Sequence, residues 1–420
     1  MSEEAPQSPG RKPKPKILDS DVQGGQWIAR IMRLLAPLHD HGPKRTGKHG
    51  PERLLHYDEY CAWFLIYFFT PVVTSTRGLQ EVSDIEPLRE RFGLPRFSLG
   101  SFSEAASVFD PQLLAPIIEK LAKDLPDIEP DPRLGALAAL GKRPTPVDGT
   151  LLAALPKMVW ALWQDDEHRA AKMHLHFDLL KGAPERATLT HGNASETEEL
   201  AKTLQPGRLY IKDRGYFDYG LMAATLAVGS SFVTCVRDDI AYEVLEERPL
   251  GPIDTPGRLE ADLIVRAGSK NHREVQDRPL RLVRIHVPGP GSARQRQSAK
   301  AHHYPTASAS NHHTLLLMTD LLDLDVSLVA LLYHYRWQIE LFFRWFKKIL
   351  QADRLLSLSQ EGMTIVTYCA LIASMLMTLW TGRKPNKRMY ELLCFHFLGC
   401  LSDEELLRRL ERLERRQQPR

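Results

Sequence analysis

From Ala171 to Phe177 the apolar residues Met173, Leu175 and Phe177 alternate with His174 and His176, a period of two that predicts a half-buried strand. Lys181-Gly182-Ala183-Pro184 then turns the chain into a second run, Arg186 to His191, so a β-hairpin is expected. Ser195-Glu196-Thr197-Glu198 has the form of a capping box for a helix through Ala201 to Leu204, which Pro206-Gly207 ends. Arg208 to Asp213 reads as a short strand, Tyr219 to Val228 as a helix and Ser231 to Val236 as another strand. That order predicts an α/β sheet with helices on its faces.

After Val236 the pattern changes. Strand-like runs at Ile240 to Leu245, Ala261 to Ala267 and Leu280 to Val287 are separated by Pro/Gly-rich turns, and the apolar run Thr314 to Thr319 follows them. Upstream, Trp27 to Leu35, Tyr57 to Phe69 and Ala115 to Ala122 have helical periodicity, as does Leu392 to Leu413 near the other end. Thr76 to Leu79 and Phe92 to Phe109 suit either a helix-turn-helix that meets DNA or a small helical domain without that contact. Gly362 to Trp380 holds nineteen residues without a charge, long enough to cross a bilayer. Its Thr364, Thr367, Tyr368, Ser374 and Thr378 favour a core helix, and no membrane partner is expected.

The 420 residues allow two or three domains. A hydrophobic content of 43% suffices for a packed core, and a net charge of only +3 argues for local basic patches over a polybasic chain. Residues 266–304 form one such patch, with nine Lys or Arg against two acids, and read as a surface for a phosphate backbone. The first sixteen residues are Pro-rich and charged and lack an apolar core, so they read as a disordered arm rather than a signal peptide. Five scattered cysteines without a C-x-x-C pair fit a reducing compartment, the cytoplasm.

The most informative segment is Tyr333 to Lys347, YHYRWQIELFFRWFK. At about 100° per residue a single helix would set Tyr333, Arg336, Glu340 and Lys347 within roughly 60° of its circumference. Ile339, Phe342, Trp345 and Phe346 occupy the other sides, so the helix is expected to be buried nearly all round. Arg344 and Lys348 extend the polar side. Opposite charges keep a carboxylate such as Glu340 ionised, and an ionised carboxylate can ligate a hard cation. Ordinary i,i+4 pairs of Glu340 with Arg336 and Arg344 account for the same residues.

The spacing from Tyr333 through Arg336 and Glu340 to Lys347 matches the YREK box, and the chain resembles the DDE transposases of bacterial insertion sequences, the insertion sequence four group. Two aspartates at expected places, Asp148 in Val147-Asp148-Gly149-Thr150 and Asp213 in Lys212-Asp213-Arg214-Gly215, strengthen the likeness, which spans about Pro146 to Trp380.

The resemblance implies a ribonuclease-H-like core interrupted by a β-rich insertion and preceded by a helical N-terminal region. The domains expected are an arm at 1–16, a helical and possibly DNA-contacting domain at 17–140, the two parts of the core at 141–236 and 313–381, the insertion at 237–312, and a helical segment at 382–420. It implies that Asp148, Asp213 and Glu340 are catalytic and hold two Mg²⁺, which Mn²⁺ can replace. Tyr333, Arg336, Lys347, Arg344 and Lys348 are then DNA contacts. Partners implied are double-stranded DNA, as terminal inverted repeats and target, and a second copy in a synaptic complex. Relatives that form DNA hairpins hold a flipped base with an aromatic of the insertion, often Trp. No Trp lies between Trp163 and Trp337, which leaves Phe232, Tyr242 or Tyr304 for that part. The alternatives are a transposase-derived DNA-binding protein without cleavage and a two-acid glycan hydrolase. His174 and His176, without a Cys or carboxylate at ligand spacing, are read as hairpin-surface or supporting residues rather than metal ligands.

Overall fold

In the computed structural model of the chain, residues 31–41, 55–128, 131, 133–134, 141–165, 167–253, 257–269, 271–288, 312–354 and 356–417 are described. The arm at 1–16, Tyr304 and the Arg294 to Lys300 part of the basic patch lie outside them.

Among the described residues a helical stretch at 31–35, within the expected Trp27 to Leu35 helix, comes first, followed by α1 (Tyr57–Phe69), α2 (Thr76–Asp84), α3 (Glu86–Phe92), α4 (Leu99–Val108) and α5 (Ala115–Asp124). Then follow β1 (Arg143–Ala154), β2 (Arg169–Asp178), β3 (Ala183–His191), α6 (Glu196–Thr203), β4 (Arg208–Lys212), α7 (Tyr219–Ala227) and β5 (Ser231–Cys235). Four more strands, β6 (Tyr242–Glu247), β7 (Arg258–Ala267), β8 (Leu280–Pro288) and β9 (His312–Thr319), precede α8 (Val326–Tyr335) and α9 (Gln338–Lys348). The last helices are α10 (Gln360–Thr381), α11 (Lys387–Phe397) and α12 (Asp403–Gln417).

The nine strands among the described residues form one mixed sheet, in the order β3-β2-β1-β4-β5-β9-β8-β7-β6. β1, β4 and β5 run parallel, joined by crossovers that contain α6 and α7, and every other pairing is antiparallel. The β-rich segment is therefore not a separate sheet: β9 pairs with β5, and the ladder β9-β8-β7-β6 extends the sheet from there. Residues alternate between its two faces along each strand. On β4, Leu209 and Ile211 pack beneath α8 with Val329 to Leu332, while Tyr210 packs with Leu200 of α6 on the other face.

The largest apolar core surrounds α10. It joins Trp63 and Phe64 of α1, Ile118 of α5, Met173 and Leu175 of β2, Phe346 of α9 and Phe397 of α11. The N-terminal helices thus share one core with the helices after the sheet. Helix α10 is apolar and long enough to cross a membrane, and 94% of its most apolar window is buried inside the protein.

Several expectations need correction. The run Tyr333 to Lys347 is not one helix: α8 ends at Tyr335 and α9 begins at Gln338. Arg336 N bonds Tyr333 O and Ile339 N bonds Arg336 O, so i→i+3 bonds tighten the chain there. No Gly or Pro marks the break. Nor is α9 buried all round, since Trp337 (45%) and Leu341 (37%) are exposed. Leu392 to Leu413 is likewise two helices, parted where Gly399 adopts φ 79°.

His174 and His176 are not on the surface. Both are buried against α6 and β3, with Nε2 of His174 at 2.8 Å from Thr190 Oγ1 and Nε2 of His176 at 3.0 Å from Thr203 Oγ1. Phe232 is fully buried, 5.0 Å beneath the Lys212 ammonium, and is not available to a flipped base. The basic patch is smaller than its count, because β7 and β6 bring acids to it. Arg281 is buried in a two-point ion pair with Asp262 (2.7 and 2.6 Å), and Arg266 pairs with Glu243.

A candidate active site where β1 and β4 part

β1 and β4 pair in parallel from Arg143 opposite Arg208 to Pro146 opposite Ile211. The ladder ends there, and the same offset of 65 residues carried two residues further leads to Asp148 and Asp213, which lie near enough for the Asp213 charge to act on the Asp148 carboxyl. β4 stops there because the Asp213 carboxylate caps a short 3₁₀ turn, accepting from Gly215 N at 2.9 Å. β1 continues to Ala154 paired with β2. Asp148 accordingly lies within a strand rather than in a turn, and its Oδ1 accepts from Gly149 N at 2.8 Å. Burial first, and the Asp213 charge second, push the Asp148 carboxyl up to about 7, against the pull of Arg336.

Arg336 descends from the α8 face into this pair. Its Nη1 is 3.8 Å from Asp148 Oδ2, its Nη2 donates to Glu340 Oε1 at 2.5 Å, and its guanidinium lies 5.8 Å from the Tyr333 ring centre. Burial disfavours the charge, yet Tyr333, Glu340 and Asp148 together hold its pKa above the ordinary value. Burial also raises the Tyr333 phenol. Lys347, on the same side of α9, reaches β1 just beyond Asp148 and donates to Thr150 Oγ1 (2.9 Å) and Leu151 O (3.3 Å). Burial lowers its pKa.

The structure thus brings Asp148, Asp213, Arg336 and Tyr333 together, with Glu340 one guanidinium away and Lys347 at the rim. Arg344 and Lys348 are exposed, and Lys348 lines a surface pocket with Pro71, Tyr390 and Glu391. Among the described residues no three His, Cys, Asp or Glu side chains stand close enough to hold one ion. The donor chemistry nonetheless suits a hard divalent cation, since two half-buried carboxylates lie close enough for the charge of Asp213 to raise Asp148 despite Arg336. Arg336 occupies the place between Asp148 and Glu340.

Sequence reasoning missed Glu196, which it used only as a helix start. Its side chain lies over Gly149 and near Gly215, and Lys172 Nζ stands 3.4 Å from its Oε1. The glycine after each aspartate was the available signal.

A mixed α/β protein with two neighbouring aspartates, one within β1 and one just after β4, beside an arginine that joins α8 to α9 has the parts for phosphodiester chemistry. The transposase DDE domain matches residues 140–376, and the chain belongs to that family. It is similar to the putative transposase y4zB of Sinorhizobium fredii (strain NBRC 101917 / NGR234), 25% identical over 249 residues, which is 58% of this chain and 63% of that protein. It is also similar to the probable transposase for insertion sequence element IS5377 of Geobacillus stearothermophilus, 24% identical over 342 residues and 79% of each chain. A cryo-EM structure of the piggyBac transposase synaptic complex with hairpin DNA aligns over 96% of this chain and 84% of that one, at 13% identity and a TM-score of 0.38.

Proposed function

We propose that the chain is a transposase of the YREK-box group, with a ribonuclease-H-like core, that cuts DNA at the ends of its element and joins the freed ends to target DNA. One observation carries the reading: the Asp213 charge acts on the Asp148 carboxyl just past the parallel β1–β4 ladder, with Arg336 bridging Asp148 to Glu340. The strand order β3-β2-β1-β4-β5, with β1, β4 and β5 parallel, supports the core assignment.

Asp148, Asp213 and Glu340 would hold two Mg²⁺, or Mn²⁺ in their place, which when bound supply charge neutralisation at the phosphodiester and activation of the attacking oxygen. The chain's own residues do the rest. A phosphate arriving beside Arg336 offers its guanidinium a second anion, which releases Glu340 toward the aspartates. Tyr333 keeps Arg336 in line, and Lys347 turns from Thr150 to the backbone of the DNA. Water attacks the phosphorus at the element end and the 3′ oxygen leaves with a proton. That hydroxyl then attacks a target phosphodiester, so one phosphate ester bond forms as another breaks. Two copies acting on two ends complete the proposal.

The test is to incubate the full chain with the DNA that flanks its coding region and Mg²⁺ or Mn²⁺. The expected outcome is nicking at the element ends, lost at least a hundredfold in Asp148→Asn and Asp213→Asn while end binding persists. Cutting that survives in either variant overturns the assignment.

A further inference from the structure

Glu196 is the first residue of α6, whose cap Ser195 accepts from Glu198 N at 3.3 Å. It approaches β1 from the α6 face, opposite to Arg336. A Cβ at Gly149 would lie 2.6 Å from its Oε1 and 3.1 Å from its Cδ. Gly149 has no left-handed φ that would demand glycine. What glycine provides there is room, and the Glu196 carboxylate fills it. A Cβ at Gly215 would be 3.1 Å from Asp213 Oδ1 and 3.9 Å from Glu196 Oε2, so both carboxylates overlie that glycine as well. Tyr216, 2% exposed, closes the space beside them. Lys172 Nζ, 3.4 Å from Glu196 Oε1, is tethered to Ala194 O at 3.0 Å.

We propose that Glu196 is a fourth acidic residue of the site, a positioning residue that sets how tightly the Asp148–Asp213 pair takes a divalent cation, and that Lys172 opposes it. The proposal rests on the transposase reading and names a residue that spacing along the chain does not reveal. The three atoms nearest a Cβ at Gly149 all belong to the Glu196 side chain, so what is laid over that glycine is a carboxylate. A carboxylate one shell from a cation typically changes metal affinity by 10–100-fold.

The test uses the full chain without DNA, titrated with Mn²⁺ and followed by calorimetry and by the metal-induced rise in Tm. Glu196→Gln is expected to raise the half-saturating Mn²⁺ concentration about tenfold, and Lys172→Met to lower it. Gly149→Ala, which leaves every charge in place but pushes the carboxylate aside, should behave like Glu196→Gln. Glu196→Asp, which keeps the charge at the helix start, should shift the midpoint by a few-fold and serves if the Gln variant does not fold. A midpoint unchanged in Glu196→Gln, or in Glu196→Asp should that serve, overturns the proposal. If Asp148→Asn also binds Mn²⁺ as the unaltered chain does, the two-aspartate site itself is wrong. If only Asp148→Asn loses binding, the site stands and Glu196 plays no part in it.

Discussion

Arg336 contacts an acid on each side, and its removal should act on both. Arg336→Ala leaves Asp148 facing only like charges and frees Glu340 from its 2.5 Å contact. DNA cutting should fall more than end binding, as single-turnover cleavage beside a gel-shift titration would reveal; equal losses would make Arg336 a mere binding contact. Lys347 is expected to behave differently. Lys347→Ala should weaken DNA uniformly and lower the slope of log K against log salt by about one. An unchanged slope would take Lys347 off the phosphate backbone. At this scale spacing along the chain anticipated neighbours in space, since Asp148, Asp213, Arg336 and Glu340 do come together. It was silent where two segments meet only in space, as with Glu196 over Gly149 or Asp262 against Arg281.

Strands were more legible than helix boundaries. The hairpin β2-β3 and the strand before Asp213 follow from alternation and from Pro/Gly turns, whereas the α8–α9 break has no such residue and arises from i→i+3 bonds around Arg336. Alternation in β2 also hid a buried polar face. His174 and His176 are held neutral beneath α6, and burial lowers them to about 4 and about 3. The groups facing them include Arg186, Arg208, Lys172 and Lys202, with Glu199 the opposing acid. Because the unfolded histidines bind protons near pH 6.5 and the folded ones do not, stability is full above that value. It falls as the pH drops toward 4 and 3. The expected loss is on the order of 2 kcal/mol for each histidine by pH 5, and His176→Asn should remove about half of the total, read from urea unfolding at a series of pH values. Parallel curves for the two proteins would contradict that account.

For the whole molecule, the helices before the sheet and those after it enclose α10 in one core. The order of elements predicted an α/β sheet with flanking helices, but no pattern in the sequence says that α1 and α10, about 300 residues apart, pack together. Unfolding should therefore be a single transition in which α1 and the sheet are lost together. Leu371→Ala, at a fully buried position on α10, should cost about 3 kcal/mol. Two separate transitions, with α1 melting alone, would show the first helices to be an independent unit. The proposed site depends on this packing because α9 is part of that core and carries Glu340 to Arg336 and Lys347 to Thr150 and Leu151 of β1. The central claim is that Asp148 and Asp213 share a divalent cation, and exchange of each for cysteine tests it most directly. Thiolates disfavour Mg²⁺ and accept Mn²⁺ or Cd²⁺. The account predicts that Asp148→Cys and Asp213→Cys are inactive on element-end DNA in Mg²⁺ and regain cutting in the softer ions. Undiminished cutting by either variant in Mg²⁺ would contradict it.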